Sequence, residues 1–297
     1  MPNLNWRRFW ERAKYWDLTN VLSDKTFIKI EYRNRMRKKL NLKKPQTFNE
    51  KLQWLKIYDR KPIYTTMVDK YEVKNYVADK IGDEYIIPTL GVWDSFDEID
   101  FDALPDQFVL KCTHDSGGLV ICKDKSKLNK EKAKKKIELS LNRNYYYHGR
   151  EWAYKDVKPR VIAEKYMEDK NSKDLKDFKF FCFDGKAKAM FIATDRFTRG
   201  VETKFDFYDM NFEHLPFTNG HPNAECVIEK PKHFEKMKEL AEILSKGIPQ
   251  IRVDFYEIDD EVYFGELTFF HWSGMVPFVP EKWDYKFGDW IELPTID

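Results

Sequence analysis

Two short stretches hold most of the side chains able to do chemistry. The first runs from Lys111 to Gly118, KCTHDSGG, with a cation, a thiol, an imidazole, a carboxylate, two hydroxyls and two glycines. Three chemistries compete for it. A zinc site through Cys112, His114 and Asp115 needs a second group of Cys or His at ligand spacing, and the sequence offers none. A nucleophilic assembly needs its members to converge from separate elements, whereas His114, Asp115 and Ser116 are consecutive. A phosphate loop fits the types better. Gly117 and Gly118 permit positive φ and close backbone approach. Amides between two strands can form an anion-binding nest. Ser116 adds a hydroxyl, and Lys111 a positive charge at the strand end. An ordinary Gly-Gly hairpin turn accounts for the same residues equally well.

The second stretch is IRVDFYEIDDEVYFGELTF, residues 251–269. With Asp259-Asp260-Glu261 as the loop of a hairpin, Ile258 pairs with Val262, Asp254 falls opposite Glu266, and Arg252 opposite Thr268. Alternation then puts Arg252, Asp254, Glu266 and Thr268 on one face, with Val253, Phe255, Leu267 and Phe269 on the other. Two opposed carboxylates ~4–5 Å apart repel by about 3–4 kcal/mol at an effective dielectric of ~20. Mg²⁺ would relieve that repulsion and leave room for substrate phosphates; so would Arg252 or solvent. The register decides the matter, because a two-residue loop would send Asp254 and Glu266 to opposite faces.

The elements that must position these groups are legible as periodicity. Helices are expected at 6–16, 26–40, 68–81, 129–142 and 232–247, and at 47–58, where Thr47 and Glu50 form a capping box. Strands are expected at 85–93, 107–113, 119–123, 160–167 and 204–209. A further hairpin at 178–197 turns at Asp184-Gly185. Antiparallel strand pairs with separate helices are an α+β pattern, and no fixed-period repeat is present.

The bulk numbers narrow the class. At 297 residues, with 42% apolar and 34% charged residues, the chain can bury a sizeable core. Lys+Arg 52 against Asp+Glu 50 leaves too little basic excess for a dedicated nucleic-acid binder. Aromatic residues at 16% suit either stacking on sugars and planar ligands or simply an aromatic core. Cys112, Cys122, Cys182 and Cys226 show no C-x-x-C spacing and read as free thiols of a reducing compartment. No run is long enough to span a membrane, and no secretory signal core is seen, so a cytoplasmic place is expected. The first helix sets Trp6, Phe9, Trp10 and Ala13 on one face among Arg7, Arg8 and Arg12. That face suits packing on its own domain, or contact with the inner membrane face.

Taken together, FVLKCTHDSGGLVIC, VIAEKYM and the 251–269 hairpin resemble, in this order, the phosphate loop, adenine hinge and magnesium strands of ATP-grasp enzymes. More narrowly, KPQTFNEKLQWLKIYDR, DKYEVKNYV and GELTFFHWSG resemble the TupA-like ATP-grasp family, over about residues 40–293. The resemblance implies an ATP-grasp fold, two α+β subdomains clasping ATP, behind an N-terminal helical extension. The expected parts are 1–62, helical; 63–106, a first α/β part; 107–170, the lid with the Gly-rich loop; and 171–297, the C-terminal subdomain with the Mg²⁺ hairpin.

Residue by residue, the resemblance implies that Lys70 and Lys111 meet nucleotide phosphates while Thr113, Ser116, Gly117 and Gly118 close over them. Glu164 would meet the adenine amino group, with Lys165 and Tyr166 beside it and Asp169 on the ribose. Lys179 would reach a phosphate, Arg252 would stabilise developing charge, and Asp254 and Glu266 would hold Mg²⁺. Thr268 stands where many relatives carry an asparagine ligand. Arg196, Arg199, His271 and Ser273 would border the acceptor. The implied activity is ATP- and Mg²⁺-dependent ligation. A carboxylate, expected to be a uronic acid of a surface saccharide, is phosphorylated and then joined to an amine, an amino acid or amino alcohol. The alternative is a nucleotide-sugar glycosyltransferase, for which Asp100–Asp102 and Asp206–Asp209 offer acidic pairs. A non-catalytic nucleotide-binding module is a third reading.

Overall fold

The computed structural model of the protein describes residues 4–170, 175–196, 200–225 and 227–295. Helices α1 (Leu4–Tyr15), α2 (Asp24–Met36) and α3 (Phe48–Tyr58) lead the chain. The capping box of α3 forms as expected: Thr47 Oγ1 accepts from the Glu50 amide at 3.2 Å, and Glu50 reaches back to the Thr47 amide. The helix expected at 68–81 starts later, as α5 (Glu72–Ile81), and a short helix, α4 (Ile63–Val68), precedes it. The cause is Asp69, whose Oδ1 accepts from the amides of Tyr71 and Glu72 at 2.8 and 3.3 Å. That side chain competes with the continuing helix and starts a new one.

Two antiparallel sheets follow. The first has β1 (Thr89–Trp93), β2 (Phe108–Cys112), β3 (Leu119–Cys122) and β4 (Val161–Lys165) in the order β1-β4-β2-β3. Helices α6 (Lys130–Leu141) and α7 (Tyr146–Gly149) connect β3 to β4. Ala133 and Ile137 of α6 bury against Phe108, Leu110 and Ala163 in a small core of their own.

The second sheet contains β5 (Asp177–Phe183), β6 (Lys186–Thr194) and β7 (Lys204–Tyr208). A two-residue ladder partner, β8 (Thr218–Asn219), and helix α8 (Phe234–Ser245) precede β9 (Ile251–Ile258) and β10 (Glu261–Thr268). β11 (Phe278–Val279) and helix α9 (Lys282–Asp289) close the chain. The order is β10-β9-β5-β6-β7, and β11 pairs with β8. The main core lies on this sheet. It gathers Phe180, Phe181, Phe191, Phe207, Phe234, Phe255 and Phe287, so most of the aromatic excess is core.

The 251–269 hairpin reaches its expected pairing by another route. Its loop is the two residues Asp259-Asp260, both at positive φ, and Ile258 pairs with Glu261 rather than Val262. Alone, that loop would face Glu266 away from Asp254. The register shifts between Phe264 and Glu266, so the extra residue Gly265 makes a β-bulge that turns the strand over. Asp254 then pairs with Glu266, Val253 with Leu267 and Arg252 with Thr268. A Cβ at Gly265 would lie 3.1 Å from the Asp254 carbonyl oxygen, which explains a glycine inside the strand.

α1 divides the face read from the sequence. Trp10 and Ala13 bury, with Trp10 packing on Phe27 of α2, while Trp6 and Phe9 stay exposed. Among the described residues no helix is long and apolar enough to cross a membrane, and Cys112, Cys122 and Cys182 are buried free thiols.

Candidate active site between the two sheets

The charged groups align because three strands pair in register. Lys179 of β5 lies opposite Asp254 of β9, and Asp254 opposite Glu266 of β10. The next row holds Phe181, Arg252 and Thr268. Arg252 reaches Asp254 with a two-pronged contact, Nε to Oδ1 at 2.7 Å and Nη2 to Oδ2 at 2.8 Å. Its Nη2 also reaches Glu266 Oε1 at 2.9 Å and Thr268 Oγ1 at 3.0 Å. Lys179 Nζ bonds Asp254 Oδ2 and lies 3.2 Å from Asp177 Oδ2, which Arg196 also contacts. The carboxylate repulsion anticipated from the sequence is therefore offset by Arg252 and Lys179.

The electrostatics follow from burial and these partners. Asp254 is only 1% exposed. Burial works to raise the Glu266 pKa, but Lys179, Arg252 and Lys70 outweigh it and bring it down to about 2. Glu266 keeps 45% of its side-chain surface exposed, so solvent screens part of that field. Burial pushes the Lys179 ammonium down, with Asp254 opposing. His271 is held well below its ordinary pKa by burial and by the charges of Arg252 and Lys179. It is neutral, and its tautomer is fixed. A guanidinium can only donate, so His271 Nδ1 accepts from Arg252 Nη1 at 2.9 Å and Nε2–H donates to Asn219 Oδ1 at 2.9 Å.

A cavity of about 210 Å³ lies between this row and the first sheet. Lys70, Lys111, Ser116, Gly118 and Glu164 line one side; Lys179, Arg196 and Glu266 line the other. Glu164 is buried and clamped by two lysines, Lys74 and Lys111, each at 2.5 Å. Burial opposes its ionisation, but the two ammonium groups win and its pKa is lowered. Lys74 went unremarked in the sequence. The signal was its place four residues after Lys70, one helical turn on. Asp177 also went unremarked, two residues before Lys179 on the same strand face.

The Gly-rich loop is built differently from the expectation. Neither Gly117 nor Gly118 adopts positive φ. Gly118 is needed for close approach instead, because a Cβ there would sit 2.4 Å from Cys112 Sγ. Asp115 accepts from the Gly118 amide at 3.0 Å and from the Ser140 hydroxyl, and His114 Nε2 lies 3.0 Å from the carbonyls of Ser140 and Arg143. Both residues thus fasten the loop to α6. Lys70 braces it from below, its Nζ on the Asp115 carbonyl.

Other expected site residues stand apart from the cavity lining. Thr113 is fully buried, donating to the Lys158 carbonyl at 3.0 Å and accepting from the Arg160 amide at 3.2 Å. The Lys165 amide is taken by the Pro88 carbonyl, while the Tyr166 ring meets Lys123. Asp169 lies in the segment after β4. The Ser273 carbonyl and hydroxyl both receive Lys56 Nζ, at 2.8 and 2.7 Å. Arg199 lies outside the described residues. The acidic pairs considered for a glycosyltransferase have local work: Asp100 accepts from the amides of Asp102 and Ala103, and Asp206 from that of Ala224.

Mg²⁺ suits this donor set. It takes hard oxygens, commonly one or two carboxylates with the rest supplied by phosphates and water. Asp254 and Glu266 are paired carboxylates, Glu266 lining the cavity and Asp254 buried just behind it. Thr268 Oγ1 already accepts from Arg252 and lies 3.3 Å from Glu266 Oε1, so it supports the pair. Among the described residues no cluster of three or more His, Cys, Asp and Glu has metal-holding geometry; a phosphate-borne ion needs only the two.

Lysines and carboxylates thus face one another across a cleft between two antiparallel sheets. The family model of the TupA-like ATPgrasp family matches residues 50–292, and the chain belongs to that family. No curated protein matches it. Among solved structures, D-alanine–D-alanine ligase from Bacillus anthracis is 18% identical with a TM-score of 0.41, over 83% of this chain and 69% of that one. The Helicobacter pylori enzyme is 17% identical with a TM-score of 0.40, over 84% and 70%. The ATP-grasp ligase PsnB, complexed with a minimal precursor, is 10% identical with a TM-score of 0.41, over 70% and 54%, so this chain spans about half of PsnB. The family match carries the assignment, not these distant likenesses.

Proposed function

We propose that the protein joins a carboxylate of an acidic saccharide, a uronic acid of a surface polysaccharide or its precursor, to a small amine at the expense of ATP. A substrate carboxylate oxygen takes the γ-phosphoryl group, ADP leaves, and the amine then displaces phosphate to leave an amide. Mg²⁺, held by Asp254 and Glu266, would neutralise phosphate charge during that transfer. The observation that carries the reading is that Lys179 and Glu266, the outer members of the paired row on β5, β9 and β10, line one cavity with Lys70, Lys74 and Lys111.

The residues divide the work. Lys70, Lys74 and Lys111 supply positive charge from the first-sheet side, and Lys179 and Arg252 from the other. Without nucleotide, Lys74 and Lys111 are neutralised by Glu164, Lys179 by Asp254 and Asp177, and Arg252 by Asp254 and Glu266, while Lys70 rests on the Asp115 carbonyl. Binding would then exchange partners, phosphates taking the cations while Asp254 and Glu266 would hold Mg²⁺. Such an exchange avoids leaving any buried charge unpaired. His271 and Asn219 hold the far edge of the Arg252 guanidinium, keeping its plane fixed. The Gly-rich loop, pinned by Asp115 to α6, limits water entry above the phosphates. Family membership does not favour the glycosyltransferase alternative. The test is ADP formation in the presence of uronate oligosaccharides and a panel of amines. ADP release that needs both partners, and falls at least about 100-fold in Asp254→Asn, supports the reading. Sugar-nucleotide turnover without ATP overturns it.

A further inference from the structure

A second cleft, about 850 Å³, lies on the other side of the Gly-rich loop. Asp115 and Ser116 line both it and the phosphate cavity, so the loop is the partition between them. Its opposite wall is α1 with the turn to Asn20, which precedes the stretch matched by the family model. Its sides are the end of α6 and the start of α7.

The chemistry of the wall is specific. Tyr15 is 74% exposed, and Tyr145 and Tyr147 are half-buried, so aromatic rings line both sides, Tyr147 with one face on the Arg150 guanidinium. Asn20, Asn142 and Asn144 bring amides, which both donate and accept. Aromatic faces with amide groups suit the apolar faces and hydroxyls of sugar rings. The charges lean positive once internal pairs are removed, Lys136 and Arg143 remaining against Asp17. Glu11 is paired with Lys14 at 3.0 Å, and Asp115 is bound by Ser140 and the Gly118 amide. Lys136 and Arg143 are exposed on the rim, and among the described residues neither has an ion-pair partner. The volume is near the top of the usual range for ligand clefts, about 300–1,000 Å³, which suits several sugar rings.

We propose that this cleft, formed by the N-terminal helix against the lid, binds the acidic saccharide acceptor and feeds its reacting carboxylate past Ser116 to the phosphate cavity. The proposal rests on the ligase reading. Arg143 and Lys136 meet carboxylates of neighbouring rings, Tyr15 and Tyr147 stack on ring faces, and the Ser116–Tyr145 contact at 3.4 Å marks the passage between the two cavities. It also assigns the N-terminal extension a role, choosing the acceptor.

The test is calorimetric titration of the full chain with short glucuronate and galacturonate oligomers and their uncharged methyl esters, alongside ATP·Mg²⁺ thermal shifts. The expected result is binding of at least one acid form, weakened about 10-fold or more by Arg143→Ala and by Tyr147→Ala, with the ATP·Mg²⁺ shift unchanged. Arg143 is exposed, so its variant separates lost binding from lost folding. Equal affinity for acid and ester overturns the proposal, as does acid binding that both variants retain. If no acid form binds while ATP·Mg²⁺ still stabilises, the cleft assignment falls and the ligase reading stands. If ATP·Mg²⁺ fails as well, both fall.

Discussion

Lys56 permits a prediction with a worked magnitude. It lies on α3, fully buried, and its ammonium donates to the carbonyls of Gly149 and Ser273 and to the Ser273 hydroxyl. It thereby fixes the turn at Trp272-Ser273-Gly274, three consecutive residues at positive φ, just after His271 meets Arg252. Burial pushes its pKa from 10.5 to about 8, with Glu151 and Glu31 opposing. The folded pKa is thus below the unfolded one. Below pH 8 the folded chain carries the full cost of a buried charge, roughly 3 kcal/mol. As pH rises, the folded protein gives up this proton before the unfolded chain does, so stability increases. About 2 kcal/mol of that gain falls between about pH 7 and about pH 9.5.

The perturbation is Lys56→Met, which keeps the apolar stem and removes the titrating group. Urea midpoints of both proteins, measured over that range, cancel the titrations they share. Wild type should gain about 2 kcal/mol on the variant as pH rises. The loss of donors to Gly149 and Ser273 adds an offset that does not depend on pH. A flat difference, or one that shrinks with pH, would refute the reasoning and mean that Glu151 keeps Lys56 charged.

Other outcomes follow from the same structure. Glu164→Gln leaves Lys74 and Lys111 without their shared counter-ion and should lower unfolding stability by about 3 kcal/mol, with ATP·Mg²⁺ recovering part of the loss. If Glu164 instead serves mainly the adenine, the variant will be near wild type in stability and weak in ATP affinity. We propose that Phe9 (59% exposed), Trp16 and Leu18, with Arg8 and Arg12 nearby, let the N-terminal helix touch an anionic bilayer. Flotation with phosphatidylserine vesicles should then be lost in Phe9→Ser with Trp16→Ser and in high salt, and equal flotation with neutral vesicles would contradict it.

The opposed carboxylates were legible because strand alternation leaves few faces for Asp254 and Glu266. The path to them was not: a three-residue loop was expected, and the strand uses a two-residue loop plus a bulge. Both give the same pairing, and only Gly265, a glycine inside a strand, hinted at the difference. The Gly-rich loop was recognised by composition, but Gly118 answers to the Cys112 side chain rather than to dihedral angles. The break at Asp69 was hidden because helical periodicity is blind to a side chain that caps a backbone locally. Lys74 and Asp177 were missed for another reason. Each gains meaning from a partner distant in sequence, Glu164 for one and Arg196 for the other.

The most direct test of the central claim is the thermal midpoint with ATP and Mg²⁺, for wild type and for Asp254→Asn with Glu266→Gln. A ligand at 100 times its Kd adds about 2.7 kcal/mol. The account predicts a rise for wild type that needs Mg²⁺ and vanishes in the double variant. A rise that is independent of Mg²⁺, or kept in full by the variant, would contradict it.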